Sequence, residues 1–147
     1  MTLADSEDIV LVTGTFNIVH AGHVSLLEFA SRYGKVVVGI NSDDFLVNKY
    51  GDLAVPALNR SYVLRSLKFV NKVIVFKEDE PSSLIRKIKP AYYIKGPDYK
   101  SVNLPEQKAI ESTGTRLIIQ PTQKEFDSSE LIKSVPKSAF KKFDKWT

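Results

Sequence analysis

Cysteine is absent from all 147 residues, and histidine occurs only twice. The missing thiols exclude disulfides, thiolate catalysis and cysteine-built zinc sites, and they fit a reducing compartment such as the cytoplasm. No apolar run approaches the roughly 20 residues that a membrane-spanning helix needs. Residues 1–8 are acidic and polar, so no signal peptide is expected there. Excess charge is scarce too: 21 Lys and Arg against 17 Asp and Glu leave a net +4, with no isolated basic block. That balance suits an anionic small molecule and offers nucleic acid little. What is present is an ordinary globular composition, 43% hydrophobic and 26% charged, at a length suited to one domain with one core. One domain over 1–147 is expected, its core at about 8–135 and a basic, aromatic tail at 136–147.

Both histidines fall in one stretch. Residues 13–23 read Thr-Gly-Thr-Phe-Asn-Ile-Val-His-Ala-Gly-His. The apolar run Ile9, Val10, Leu11, Val12 leads in as a strand, and Val24, Leu26, Leu27, Phe29 and Ala30 lead out at helical spacing. His20 and His23 therefore stand where a helix begins, beside unpaired N–H groups and the positive end of its dipole. Gly14 and Gly22 let an anion approach the backbone, so phosphate is the first ligand expected. A zinc shared by the histidines would need carboxylates or water for its other ligands. Phosphate contact is preferred, and no residue is assigned to a metal.

Strands alternate with helices along the rest of the chain. Strands are expected at Lys35–Ile40, Val73–Phe76, Tyr92–Ile94 and Arg116–Ile119. Asn41 to Ala57 reads as a long loop with at most one helical turn, punctuated by Gly51 and Pro56. Asn59 opens a helix with Tyr62, Val63, Leu67 and Val70 as its apolar face. Further helices start at Pro81, at Pro105 and after Asp127, the last running through Leu131, Ile132 and Val135. The expected fold is α/β, a doubly wound, Rossmann-like five-stranded parallel sheet with helices on both faces. Its ligand site lies beyond the strand C-termini at the topological switch point, where the histidine motif falls.

The pattern Gly-Thr-Phe-(Asp/Asn)-x-x-His-x-Gly-His resembles the signature of the cytidylyltransferase-like nucleotidyltransferase superfamily. Thr13, Gly14, Thr15, Phe16, His20, Gly22 and His23 carry the match. The wider set is most similar to the nucleotidyltransferase domains of ADP-heptose synthases, and next to glycerol-3-phosphate cytidylyltransferases. The resemblance implies that an NTP and a phosphorylated small molecule, a sugar phosphate, react with release of pyrophosphate. It implies Mg²⁺ travelling with the NTP, ATP preferred to CTP, and a homodimer. His20 and His23 would donate to the α- and β-phosphates, and Thr15 and Phe16 would lie at the nucleotide.

Other elements follow in the order the resemblance implies. The resemblance implies that Lys49, in the loop after the second strand, would be the catalytic cation, with Tyr50 leaving a second loop lysine absent. Arg60 resembles the arginine of a Glu-x-Arg element that binds nucleotide phosphates, although Leu58 replaces the acidic residue. Lys95, Gly96 and Asp98, from Lys-Gly-Pro-Asp-Tyr at 95–99, would line the base or ribose. Ser128 and Ser129 would bind phosphate at the mouth of the last helix. Asn17 departs from the Asp usual in the sugar-phosphate branches. Together with Leu58, the absent lysine and Asp127, it keeps open a nucleotide-binding module that has lost turnover. In the tail, Phe140, Phe143 and Trp146 share one helical face, suited to packing or to a dimer partner; membrane-surface or nucleic-acid contact is the alternative.

Overall fold

The computed structural model describes residues 8–98 and 103–121. Five strands, β1 (Ile9–Gly14), β2 (Lys35–Asn41), β3 (Lys72–Phe76), β4 (Tyr92–Lys95) and β5 (Arg116–Ile119), form one sheet. All pairings are parallel, in the order β3-β2-β1-β4-β5. The chain builds outward from β1 to one side and then returns to β1's other flank for β4. A crevice therefore opens at the C-terminal ends of β1 and β4. The doubly wound sheet expected from the alternating apolar runs is the sheet observed.

Alternation along β1 divides the core between the two faces. Val10 and Val12 join Leu27 and Ala30 of α1 (Ala21–Ser31) and Leu64 of a later helix on one face. Leu11 and Tyr93 point to the other, against Leu84 and Ile85 of α4 (Ser82–Ile88) and Ala109 and Ile110 of α5 (Gln107–Thr113). A sheet covered on both faces explains why β2 is buried along Val36–Asn41 and reads as an unbroken apolar run.

Two expectations are corrected. The stretch read as a loop at 41–57 contains α2 (Asp43–Tyr50) and a 3-10 turn (Gly51–Leu53). Leu46 is the buried residue of α2, so no apolar periodicity announces the helix; Asp43 and Asp44 in its first turn and Lys49 in its last suit the dipole. The helix expected from Asn59 is α3 (Ala57–Arg65), and its buried face is not the predicted one. Arg60 and Leu64, four residues apart, point inward, whereas Tyr62 is 68% and Val63 45% exposed. An arginine in the buried stripe defeats a reading based on apolar spacing. The helix expected after Asp127 lies outside the described residues.

Candidate active site

The turn after β1 is shaped around Phe16. Its φ is 46°, in the left-handed region where a bulky side chain is strained. The ring is buried, lies 4.9 Å from that of His23, and covers Gly14, where a Cβ would come within 3.1 Å of it. Glycine at 14 leaves room for Phe16, and Phe16 seats His23.

The histidines cap α1 themselves. His20, in extended backbone at the N-cap, accepts the Gly22 N–H on Nδ1 at 3.0 Å, and its side chain also receives the His23 backbone N–H. In return the His20 N–H donates to Nδ1 of His23 at 3.2 Å. This is a capping box made of two imidazoles, stacked with centroids 4.0 Å apart. A neutral imidazole that accepts on Nδ1 carries its hydrogen on Nε2, so both rings are set as Nε2–H donors. Burial, with the neighbouring His20 adding to it, lowers the His23 pKa from 6.5 to about 4; the Ile18 backbone pulls weakly the other way. At neutral pH His23 offers a hydrogen bond without a charge.

Arg60 lies directly behind this turn and is 1% exposed. Nε donates to the Val55 carbonyl at 2.7 Å, and one terminal nitrogen donates to the carbonyls of Thr15 at 3.0 Å and Asn41 at 2.8 Å. The other terminal nitrogen pairs with Asp43 Oδ1 at 3.2 Å. Four of the guanidinium's five N–H groups are thereby committed within the protein. The same Asp43 oxygen accepts the Ala57 N–H at 2.5 Å, capping α3. Asn17 grips the chain from the other side: its amide donates to the Leu53 carbonyl at 3.1 Å and accepts the Val55 N–H at 2.8 Å. The phosphate turn, the end of β2 and the segment leading into α3 form one braced unit.

On the β4 side, Tyr93 and Lys95 meet a carboxylate that the sequence did not reveal. Glu106, 3% exposed, accepts from the Tyr93 hydroxyl at 2.6 Å and from the Lys95 ammonium at 3.2 Å. Lys95 also donates to the Tyr93 oxygen at 3.1 Å, and that oxygen is 2.8 Å from Thr13 Oγ1. The network joins β1 to β4 under the crevice. Gly96 follows it in open space, where a Cβ would meet nothing within 4 Å, and Asp98 is exposed.

Such a turn, a histidine pair capping the first helix of a 3-2-1-4-5 sheet, agrees with the family model that matches residues 11–141, described as cytidylyltransferase-like. The chain belongs to the cytidylyltransferase-like family. The bifunctional protein HldE of Streptomyces coelicolor is 38% identical over 121 residues, 80% of this chain and 26% of that protein. HldE of Cronobacter sakazakii is 33% identical over 136 residues, 90% of this chain and 29% of that protein. The chain thus spans between a quarter and a third of these curated relatives. Among solved structures, a lipopolysaccharide core biosynthesis protein from Thermoplasma volcanium superimposes with a TM-score of 0.65 at 25% identity, covering 82% of this chain and 98% of that one. Pantothenate synthetase from Thermus thermophilus shares the fold at a TM-score of 0.56 and 16% identity, covering 92% of this chain and 64% of that one.

Within this cytidylyltransferase-like domain, the sequence-derived residues fall into three groups. Thr15, Phe16, His20 and His23 share the turn after β1, and Lys95, Gly96 and Asp98 follow from the adjacent end of β4. Lys49 sits on the last turn of α2, its ammonium 5.3 Å from the ring centroid of Tyr50, and Arg60 braces the turn from behind. Ser128 and Ser129 lie outside the described residues. Asp43, Tyr93 and Glu106 complete the architecture without having been singled out. Tyr93 lies two residues before Lys95, whereas Asp43 comes from the stretch read as a loop and Glu106 from an unremarkable stretch 11 residues beyond Lys95.

Proposed function

We propose that this domain transfers AMP, in preference to CMP, from an NTP to the phosphate of a small sugar phosphate, releasing pyrophosphate. The observation that carries the proposal is the capping box of His20 and His23, which commits both Nδ1 atoms to the backbone and leaves Nε2–H as the outward donor. An acceptor phosphate oxygen attacks the α-phosphorus in line. One new P–O bond forms as the bond between the α-phosphorus and the bridging oxygen breaks, and pyrophosphate leaves with the electron pair. No enzyme nucleophile is needed, so positioning and charge stabilisation supply the catalysis. His20 and His23 donate to the α- and β-phosphates, and Lys49 balances charge on the leaving pyrophosphate. Thr15 contacts the same phosphates, and Arg60 acts on them through the turn that it braces. Gly96 and Asp98 receive the base or ribose, and Ser128 and Ser129 add hydroxyl donors.

Mg²⁺ enters as part of the NTP substrate, held by phosphate oxygens and water with few protein ligands. Among the described residues no group of three or more His, Asp or Glu is placed to hold a metal. Support for adenine and for a sugar phosphate comes from the 95–98 element and from similarity to HldE proteins. A homodimer is proposed on the apolar side chains that α3 leaves exposed, Leu58, Tyr62 and Val63.

One observation favours a second reading, nucleotide binding without turnover: Arg60 and Lys95 each face a carboxylate of the protein itself, Asp43 and Glu106. Pyrophosphate release separates the two. Incubation with ATP or CTP, Mg²⁺ and a panel of sugar phosphates should yield pyrophosphate and an NDP-sugar, with His20→Ala reducing the rate at least about 100-fold. Nucleotide binding with no pyrophosphate from any acceptor would favour the second reading. Undiminished turnover in His20→Ala would remove the mechanism.

A further inference from the structure

Tyr50 closes α2, and its hydroxyl oxygen lies 3.4 Å from Oγ1 of Thr15, 35 residues earlier in the chain. Its position follows from the packing around it. Leu46 anchors α2 in the core, and Gly51, at a φ of 59°, reverses the chain straight after Tyr50. Asn17 then fastens Leu53 and Val55 beside the phosphate turn. The segment is held at both ends, and the phenol is delivered to the turn between them.

Packing alone accounts for the half-buried ring but gives the hydroxyl no purpose. At 3.4 Å the contact with Thr15 exceeds the 2.5–3.0 Å of an ordinary O–H···O bond, so each hydroxyl retains capacity for a better acceptor. A phosphate oxygen is such an acceptor, because hydrogen bonds to a charged partner are shorter and stronger. The ring has a second occupation: the Lys49 ammonium lies 5.3 Å from its centroid, within the range of a cation–π contact. Lys49 forms no ion pair among the described residues, while Arg60 and Lys95 do.

We propose that Tyr50 is a substrate-contacting residue of this site, its phenol donating with Thr15 to the phosphates of the bound nucleotide and its ring steering Lys49 towards the same phosphates. The inference rests on the nucleotidyltransferase reading and adds a neutral donor to it.

The test is equilibrium binding of Mg-ATP, Mg-CTP, pyrophosphate and adenosine to the full chain, in wild type, Tyr50→Phe and Tyr50→Lys. Tyr62→Phe, on the exposed side of α3, is the control, and thermal unfolding is followed for every variant. Tyr50→Phe should weaken triphosphate and pyrophosphate binding by about 10-fold, leave adenosine unchanged and unfold at the wild-type temperature. Tyr50→Lys should recover triphosphate binding with a steeper dependence on salt. Equal triphosphate affinity in wild type and Tyr50→Phe would overturn the assignment while leaving the nucleotidyltransferase reading intact. So would an equal loss for adenosine, which has no phosphate. A wild-type chain that binds no triphosphate would overturn that reading, and this assignment with it.

Discussion

The backbone N–H of His20 donates to Nδ1 of His23, so the second histidine of the motif helps to cap the helix that the first one begins. A proton can add only at Nδ1, where that backbone N–H already points. Burial and the stacked His20 ring oppose it further, and the His23 pKa falls to about 4. Protonation of His23 and acceptance of the His20 N–H are thus mutually exclusive.

The first prediction concerns pH and stability. The folded pKa lies below the unfolded value of 6.5, so the unfolded chain binds more protons between pH 6.5 and 4. His23 contributes stability that is complete above pH 6.5 and is lost as pH falls towards 4. The ring is partly exposed, so solvent screening limits the effect to about 1–2 kcal/mol. Urea unfolding at pH 7.5, 5.5 and 4.2 should show this decline, and His23→Gln, which can still cap from the third helical position, should flatten it. A decline of the same size in His23→Gln would assign the effect to other groups.

Arg60 supplies the second. Its guanidinium reaches carbonyls at Thr15, Asn41 and Val55 in three directions, which a lysine ammonium cannot do. Arg60→Lys should lower stability by about 2–4 kcal/mol by leaving buried carbonyls unpaired. Asp43→Asn should cost less than about 1 kcal/mol, because the Asp43 side chain is 56% exposed. Denaturant midpoints at constant m-value would measure both. The reverse order of severity would mean that the ion pair, and not the carbonyl brace, holds the segment.

Much of this was legible in the chain. Unbroken β-branched runs at β2 and β3, and apolar positions spaced along α1, fixed the alternation and hence the sheet; the small residues around two histidines located its switch point. Hidden features share a physical cause. Arg60 is buried where arginine is ordinarily exposed, because three main-chain carbonyls and Asp43 compensate it, and all of those partners but Val55 are distant in sequence. Glu106 is hidden for the same reason. Single-residue anchoring concealed α2, in which Leu46 alone is buried.

Asn17 gives the third prediction. Its amide donates to the Leu53 carbonyl and accepts the Val55 N–H at once, whereas an ionised aspartate has no donor. Asn17→Asp sets a carboxylate against the Leu53 carbonyl and should release the 51–55 segment. Stability should fall by about 1 kcal/mol, the contact being partly exposed. Limited proteolysis within 51–55 should accelerate relative to wild type, with Asn17→Ala behaving alike. Resistance equal to wild type in the Asn17→Asp protein would show that the segment is held by Arg60 alone.

The Lys95–Glu106 pair yields the last. Both side chains are almost wholly enclosed, at 9% and 3% exposure, so solvent cannot relieve a lost partner. Removing one member of a buried pair typically costs about 3–5 kcal/mol, most of it from the charge left behind. Glu106→Ala leaves the Lys95 ammonium facing the Tyr93 hydroxyl, which is itself deprived of its acceptor at 2.6 Å. Glu106→Gln retains an acceptor for both while discarding the negative charge, and should lie between Glu106→Ala and wild type in denaturant stability. The double variant Glu106→Ala with Lys95→Met removes the stranded charge, so it should be more stable than Glu106→Ala alone. Nucleotide binding distinguishes scaffold from site: if Lys95 also reaches the nucleotide, the double variant should regain stability without regaining affinity. Recovery of both would place Lys95 in the framework under the crevice and outside the nucleotide contact.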